Sequence, residues 1–229
     1  MLCDLTSCSE TNKTGQYRLK LSANVSFDVL CDAEFDKGGW VVIQHRFNGS
    51  EDFYRNWTEY ESGFGALNAE FWLGNEKIHL LTAEKPREIA FVMEDFENNK
   101  GIARYASFKI GNKTEKYKLK SVGTFSGNAG DSFSRNVGSM FSTHDSDNDS
   151  SSSHCAMLYA GGWWYDNCHL ANLNGVYMKG TTTAPDIDFQ GRVTQQSSHG
   201  GQPQVRTRTQ LYGPFRFVRD KGRRELAVM

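Results

Sequence analysis

Apolar and polar residues alternate across residues 40–47 around Val41, Val42 and Ile43, a pattern that predicts a strand. The run Glu88-Ile-Ala-Phe-Val-Met-Glu94 predicts a buried strand. Residues 105–110 and 116–122 flank Gly111-Asn112, the arrangement of a hairpin. Two short helices fit between these segments. Asn56 can cap the first, with Glu59 at its third position and Gly63 ending it. Asn75 can cap the second over residues 76–82, with Pro86 soon after. Beyond Val122 the stripes stop and Gly, Ser, Asn and Asp dominate. That half offers few apolar stripes to pack, so it predicts a loop-built surface of the kind on which binding sites tend to sit. The elements together predict a mixed α+β fold without internal repeats.

At 229 residues the chain can bury one sizeable core with subdomains. A net charge of −1 gives no global field that selects nucleic acid or acidic ligands. No apolar run approaches the length of a membrane span. Met1-Leu2 leads straight into Cys3, with no leader peptide in view, which predicts that the sequence is one domain of a longer protein.

The chemistry concentrates in Asp145-Ser-Asp147-Asn-Asp149-Ser150-Ser151-Ser152-Ser153. Alternating carboxylates on a loop can bring oxygens round one hard cation; alone, such a run is more often a solvated acidic loop. A helix–loop–helix calcium hand does not fit, because twelve residues on from Asp145 or Asp147 stand Ala156 and Leu158 instead of a closing Glu. Backbone carbonyls of the serine run can complete a different calcium site. Cys155 and Cys168 follow, enclosing Gly161-Gly162-Trp163-Trp164. A bridge between them would stabilise by roughly 3 kcal/mol. The five cysteines, at positions 3, 8, 31, 155 and 168, match no zinc template. Two disulfides and one leftover cysteine is the simplest arithmetic, and it implies an oxidising compartment. Six Asn-x-Ser/Thr triplets, at Asn12, Asn24, Asn48, Asn56, Asn112 and Asn148, agree weakly with a secreted glycoprotein; the triplet at Asn148 lies inside the proposed metal loop and is expected to go unused. Catalytic motifs are missing: there is no GxSxG, HExxH or GxxxxGK[ST], and the six histidines have no carboxylate at a telling spacing. The chain does not read as an enzyme.

The chain resembles a fibrinogen-related domain, the C-terminal globe of fibrinogen chains, ficolins, tachylectins, tenascins and angiopoietins. The resemblance rests on Gly15-Gln-Tyr17, Gly38-Gly-Trp40, Asp52-Phe-Tyr54-Arg-Asn-Trp57, Glu70-Phe-Trp72-Leu-Gly74-Asn75, Gly130-Asp131 and the stretch from Asp145 to Tyr177, and it covers residues 3 to about 180 in family order. It implies an N-terminal subdomain at 1–37, a central twisted, mainly antiparallel sheet with short helices at 38–122, and a calcium- and ligand-binding subdomain at 123–189. It implies the disulfides Cys3–Cys31 and Cys155–Cys168, leaving Cys8 free or linked to another chain in a homo-oligomer. Calcium would be held by the carboxylates of Asp147 and Asp149 and the carbonyls of Ser151 and Ser153, with Asp145 a bystander or outer partner. An acetyl pocket would use Tyr159 as wall and the backbone N–H groups of Cys168 and His169 as donors, aligned by a cis peptide at Asn167-Cys168. Tyr159 and His169 can equally be side chains that pack against Trp163 and Trp164.

Two functions follow from the resemblance. One is a secreted, calcium-dependent, lectin-like module of innate immune recognition that binds N-acetylated glycans or microbial surface polysaccharide. The other is a module that grips a protein receptor, as in matrix or clotting-type proteins. Tyr159 and His169 favour the first; the absence of a later family tyrosine near residues 181–189 counts against it. Residues 190–229 form a divergent tail in which 195–203 read as linker. Arg206, Arg208, Arg216, Arg219, Lys221, Arg223 and Arg224 make it basic, a charge run open to polyanions but more often simply solvated. Phe215-Arg-Phe217-Val-Arg219 alternates like a strand and can stand in for the family's last one; a disordered tail is the alternative.

Overall fold

The computed structural model describes residues 2–94, 98–177 and 216–219. The chain opens with a four-stranded sheet of β1 (Asp4–Leu5), β2 (Gly15–Ser22), β3 (Val25–Asp32) and β4 (Trp40–Val42), in that order. β2 and β3 form an antiparallel hairpin running from Gly15↔Cys31 to Ser22↔Val25. β1 lies parallel on the outer edge of β2.

The expected single strand over 40–47 is divided. β4 closes the first sheet, and β5 (Gln44–His45) enters a second, three-stranded sheet. Its partners are β6 (Phe64–Gly65) and β7 (Phe71–Trp72), in the order β5-β7-β6. Because the run passes from one sheet into the next, Trp40, Val41, Val42 and Ile43 are all buried. Ile43 sits at the junction, where its carbonyl accepts the Leu73 N–H at 2.8 Å.

Helix α1 (Trp57–Ser62) begins as its sequence predicts. The Asn56 side chain accepts the Glu59 N–H, and Glu59 answers on the Asn56 N–H, satisfying two of the donors a helix start leaves open. Helix α2 (Asn75–Thr82) starts one residue earlier than expected, with Gly74 in the cap position. Asn75 is buried, and its Oδ1 instead accepts the Trp72 indole N–H at 3.2 Å.

The third sheet has β8 (Arg87–Glu94), β9 (Lys100–Ile110), β10 (Leu119–Ser121), β11 (Phe125–Gly127) and β12 (Arg216–Arg219). The order is β10-β9-β8-β12, with β11 also pairing β9. The expected hairpin is therefore longer on one side and broken on the other. Its turn is wider than Gly111-Asn112, because Asn112 caps a 3-10 turn at Lys113–Glu115. β12 lies antiparallel on β8, with Arg216 opposite Ala90 and Arg219 opposite Glu88. The tail thus supplies the strand that its alternation suggests. The expected linker at 195–203, the stretch 181–189, and Arg206, Arg208, Lys221, Arg223 and Arg224 lie outside the described residues.

One disulfide differs from expectation: Cys8 pairs with Cys31, with Cα atoms 5.5 Å apart, and Cys3 is free and exposed. The reason is topological. The Cys3 carbonyl accepts the Arg18 N–H at the start of β1, so β2 stands between Cys3 and β3. Two strand spacings come to roughly 9–10 Å, beyond the ~7 Å Cα separation a disulfide can span. Cys8 opens a 3-10 turn, Cys8–Glu10, that brings it back over Cys31, and it is buried.

The second half also departs from a plain loop surface. Its regular structure is sparse, as expected, yet Phe133, Phe141, Trp163, Trp164 and Tyr165 are all fully buried. Phe141 meets Trp164 edge-on at 5.1 Å, and Phe133 meets Phe91 of β8 at 5.2 Å. Single large rings on loops fill the core here, so no periodic stripe announces them.

Candidate functional site

The acidic loop is tied to the globe at both ends. Asp145 Oδ1 accepts the Trp57 N–H at 2.9 Å and the Thr143 hydroxyl at 2.7 Å. Burial pushes the Asp145 carboxyl up, but these donors outweigh it and hold it below its ordinary value. Asp145 therefore anchors the loop to the start of α1. At the other end, Asp149 Oδ1 accepts the Ser151 N–H at 2.9 Å and its Oδ2 accepts the Cys155 N–H at 3.0 Å. Cys155 begins the single-turn helix α3 (Cys155–Leu158) and is bridged to Cys168.

Asp147, Asp149 and His154 each offer a ligand atom within 4.8 Å of the others. Burial, then the neighbouring Asp147 carboxylate, raises the Asp149 carboxyl above its ordinary range despite its N–H donors. Two carboxylates that repel one another suit a cation between them. The carbonyls of Ser151 and Ser153 accept no hydrogen bond among the described residues. The donor set thus fits a metal ion, with oxygen ligands in the majority. His154 is the member sequence reasoning missed. No regular spacing links it to Asp149; the curl of residues 149–155 brings it round, and its Nδ1 is buried without a partner.

Tyr159 and His169 do meet. Their rings are edge to face at 4.3 Å, and Tyr165 lies 6.0 Å from His169 on another side. Neither ring nitrogen of His169 has a partner among the described residues. Burial drives its pKa down to about 4. The Tyr159 carbonyl accepts the Asn172 side chain at 3.0 Å. Asn174 in turn donates to Gly162 O at 2.8 Å and accepts from Gln44 on β5. The N–H groups of Cys168 and His169 have no acceptor among the described residues.

One expectation is corrected here. No peptide bond is cis among the described residues, so Asn167-Cys168 is trans. The turn closes through the Asp166 N–H on Cys168 O at 2.9 Å, and nothing there compels the ~3–4 kcal/mol a cis bond would cost. Trp163 and Trp164 belong to the core, against which Tyr159 packs from the rim, while the rings that meet His169 are those of Tyr159 and Tyr165. The Trp164 indole N–H donates to Tyr117 O at 2.8 Å. Gly161 and Gly162 permit that placement: a Cβ at Gly161 would lie 2.3 Å from Asn174 O, and one at Gly162 2.6 Å from the Tyr60 ring. Asn167 is exposed at the edge of the same turn.

The family model for the C-terminal globular domain of fibrinogen beta and gamma chains matches residues 3–198. The chain belongs to this family. Ryncolin-4 of Cerberus rynchops is 49% identical over 177 residues, which is 77% of this chain and 51% of that protein; the chain spans about half the length of this curated relative. Among solved structures, the fibrinogen-like globe domain of human ANGPTL6 aligns with a TM-score of 0.75 at 35% identity, covering 80% of this chain and 85% of that one. The globe domain of human ANGPTL2 aligns at 0.73 and 42% identity, covering 76% and 82%. Lamprey fibrin D-dimer, solved with the peptide Gly-His-Arg-Pro-amide, aligns at 0.74 and 32% identity, covering 89% and 78%. The fibrinogen-like globe fold agrees with the α+β reading of the sequence.

Proposed function

We propose that this globe is a calcium-dependent extracellular recognition module that binds acetylated carbohydrate. The observation that carries the reading is the Tyr159–His169 pair at 4.3 Å beside the Cys155–Cys168 bridge. An acetyl group needs an apolar wall for its methyl and donors for its oxygen. Tyr159 supplies the wall, and, because the trans Asn167-Cys168 peptide does not align both N–H groups on one oxygen, one of the unpaired N–H groups of Cys168 and His169 supplies the donor. Asn167 lies at the rim. The ligand class is an N-acetylated glycan or a microbial surface polysaccharide.

Calcium would be held by the carboxylates of Asp147 and Asp149 with the carbonyls of Ser151 and Ser153, a hard-oxygen set beside which His154 offers a nitrogen within 4.8 Å of both carboxylates. Affinity is expected on the order of 10⁻⁴ to 10⁻³ M, as in extracellular modules. The ion would order residues 147–155 and, through Asp149 and Cys155, fix the strand of chain that carries the bridge and the pocket. Its part is to shape the pocket without touching the sugar.

The test is retention on immobilised N-acetylglucosamine, with glucosamine as the control lacking the acetyl group. Retention should vanish with chelator and with Tyr159→Ala. Retention indifferent to calcium, to acetylation and to Tyr159→Ala would overturn the carbohydrate reading and leave a protein receptor as the ligand.

A further inference from the structure

Asparagine glycosylation demands more than a triplet. The asparagine Nδ2 must be unengaged and facing water, and its folded surroundings must leave room for a bulky sugar. The six triplets of this chain meet those demands unequally.

At Asn48 the side-chain Oδ1 accepts the N–H of Ser50, the hydroxyl residue of its own triplet, at 2.9 Å. At Asn112 the Oδ1 accepts the hydroxyl of Thr114, again its own triplet's, at 2.7 Å. Both asparagines are exposed, and neither Nδ2 has a partner among the described residues. These contacts span two residues, so a nascent chain can make them before the globe forms. In each, the carbonyl oxygen is occupied and the amide nitrogen points free. The folded backbone then holds the position. Glu70 gathers the N–H groups of Phe47, Asn48, Gly49 and Glu51 beneath Asn48, and a capping box with Glu115 holds Asn112.

The other triplets lack this arrangement. Asn148 spends its Nδ2 on Phe141 O at 2.9 Å and on Ser146, and its triplet hydroxyl, Ser150, turns away to Asp166. At Asn12 the triplet hydroxyl of Thr14 accepts the Ala33 N–H instead. Asn56 is half-buried in the α1 cap. Asn24 is exposed on the β2–β3 turn, with no such contact to Ser26 among the described residues.

We infer that Asn48 and Asn112 are N-glycosylation sites and that Asn148 stays bare. The donor is a lipid-linked pyrophosphoryl oligosaccharide. The Asn Nδ2 forms a bond to the sugar's anomeric carbon while that carbon's bond to the phosphate oxygen breaks. The lipid pyrophosphate leaves with the electron pair, and the amide gives up one proton to a base. A sugar on Nδ2 leaves Oδ1 still able to accept its turn hydrogen bond, so both folded turns survive the modification.

The experiment is site occupancy on the full chain, directed through the secretory pathway of cultured eukaryotic cells. Secreted protein is treated with peptide N-glycosidase in heavy-oxygen water, which converts each occupied asparagine to labelled aspartate, and mapped by mass spectrometry. Label is expected at Asn48 and at Asn112 and not at Asn148. Ser50→Ala and Thr114→Ala should each remove one glycan step on a gel while leaving the melting temperature of enzymatically deglycosylated protein unchanged. Label at Asn148, or its absence from Asn48 or from Asn112, overturns the proposal. The measurement does not depend on what the globe binds.

Discussion

Asp149 and Cys155 are joined directly: the carboxylate Oδ2 accepts the backbone N–H at 3.0 Å, making the acidic loop and the disulfide one mechanical unit. Asp147 has a lesser structural part, with its Oδ1 accepting the Asp149 N–H at 3.3 Å. The two carboxylates should therefore separate in chelator. Asp147→Ala should melt near wild type, whereas Asp149→Ala, which strands two N–H groups, should lose about 2 kcal/mol. Millimolar calcium should raise the melting temperature of wild type alone, by mass action. Calorimetry with and without calcium checks both; an equal response of wild type and Asp147→Ala would show that the ion sits elsewhere.

The disulfide assignment makes an asymmetric prediction. Cys8→Ala removes the Cys8–Cys31 closure across 23 residues and should cost about 3 kcal/mol. Cys3→Ser, at an exposed free thiol, should leave denaturant unfolding unchanged. The reverse ranking would restore the Cys3–Cys31 pairing.

Glu70 gives a pH signature. Burial alone would raise its carboxyl, but backbone N–H groups from Asn48, Phe47, Glu51 and Gly49 outweigh burial and hold it below its ordinary value. A depressed carboxyl stabilises the fold above its unfolded pKa, and that contribution fades as pH falls through the folded one. Glu70→Gln should lose about 2–3 kcal/mol at neutral pH. The deficit should narrow in acid, as read by unfolding curves at stepped pH. A deficit that stays constant would mean the charge is not what holds the loop.

His169 works in the opposite sense. Its folded pKa is pushed down to about 4 by burial, so the unfolded chain binds a proton that the folded chain refuses. Stability is complete above the unfolded value near 6.5 and falls as pH drops toward 4, by about 3 kcal/mol in all. His169→Phe should remove that loss, melting above wild type near pH 4.5 and close to it at neutral pH. Imidazole titration followed by NMR reads the same quantity directly.

What could be read from the chain was local. The Asn56 cap needs only residues three apart, and the 88–94 run is apolar almost throughout, so both are written in adjacent letters. Resemblance alone puts Tyr159 and the backbone of His169 in one pocket; that their rings stand edge to face is visible only in the structure. What escaped was set by distant parts of the chain. Cys8 reaches Cys31 only because a 3-10 turn doubles back while β2 screens Cys3. His154 joins Asp147 and Asp149 only through the curl of the serine run. Trp163 and Trp164 sit in the core because Gly161 and Gly162 let the backbone press against Asn174 and Tyr60, a fit that no periodicity encodes.

The pairing of β12 with β8 sets an order of events during synthesis. The edge of β8 that receives residues 216–219 is complete once Glu94 has left the ribosome, long before its partner exists. At ordinary elongation speeds that interval is on the order of 10 s. For that time a strand of Ile89, Ala90, Phe91 and Met93, buried in the finished globe, shows an open ladder to the surrounding solvent. Chaperones that hold extended apolar segments would find their target there, and truncation before residue 216 would leave that edge exposed for good, inviting strand-to-strand aggregation.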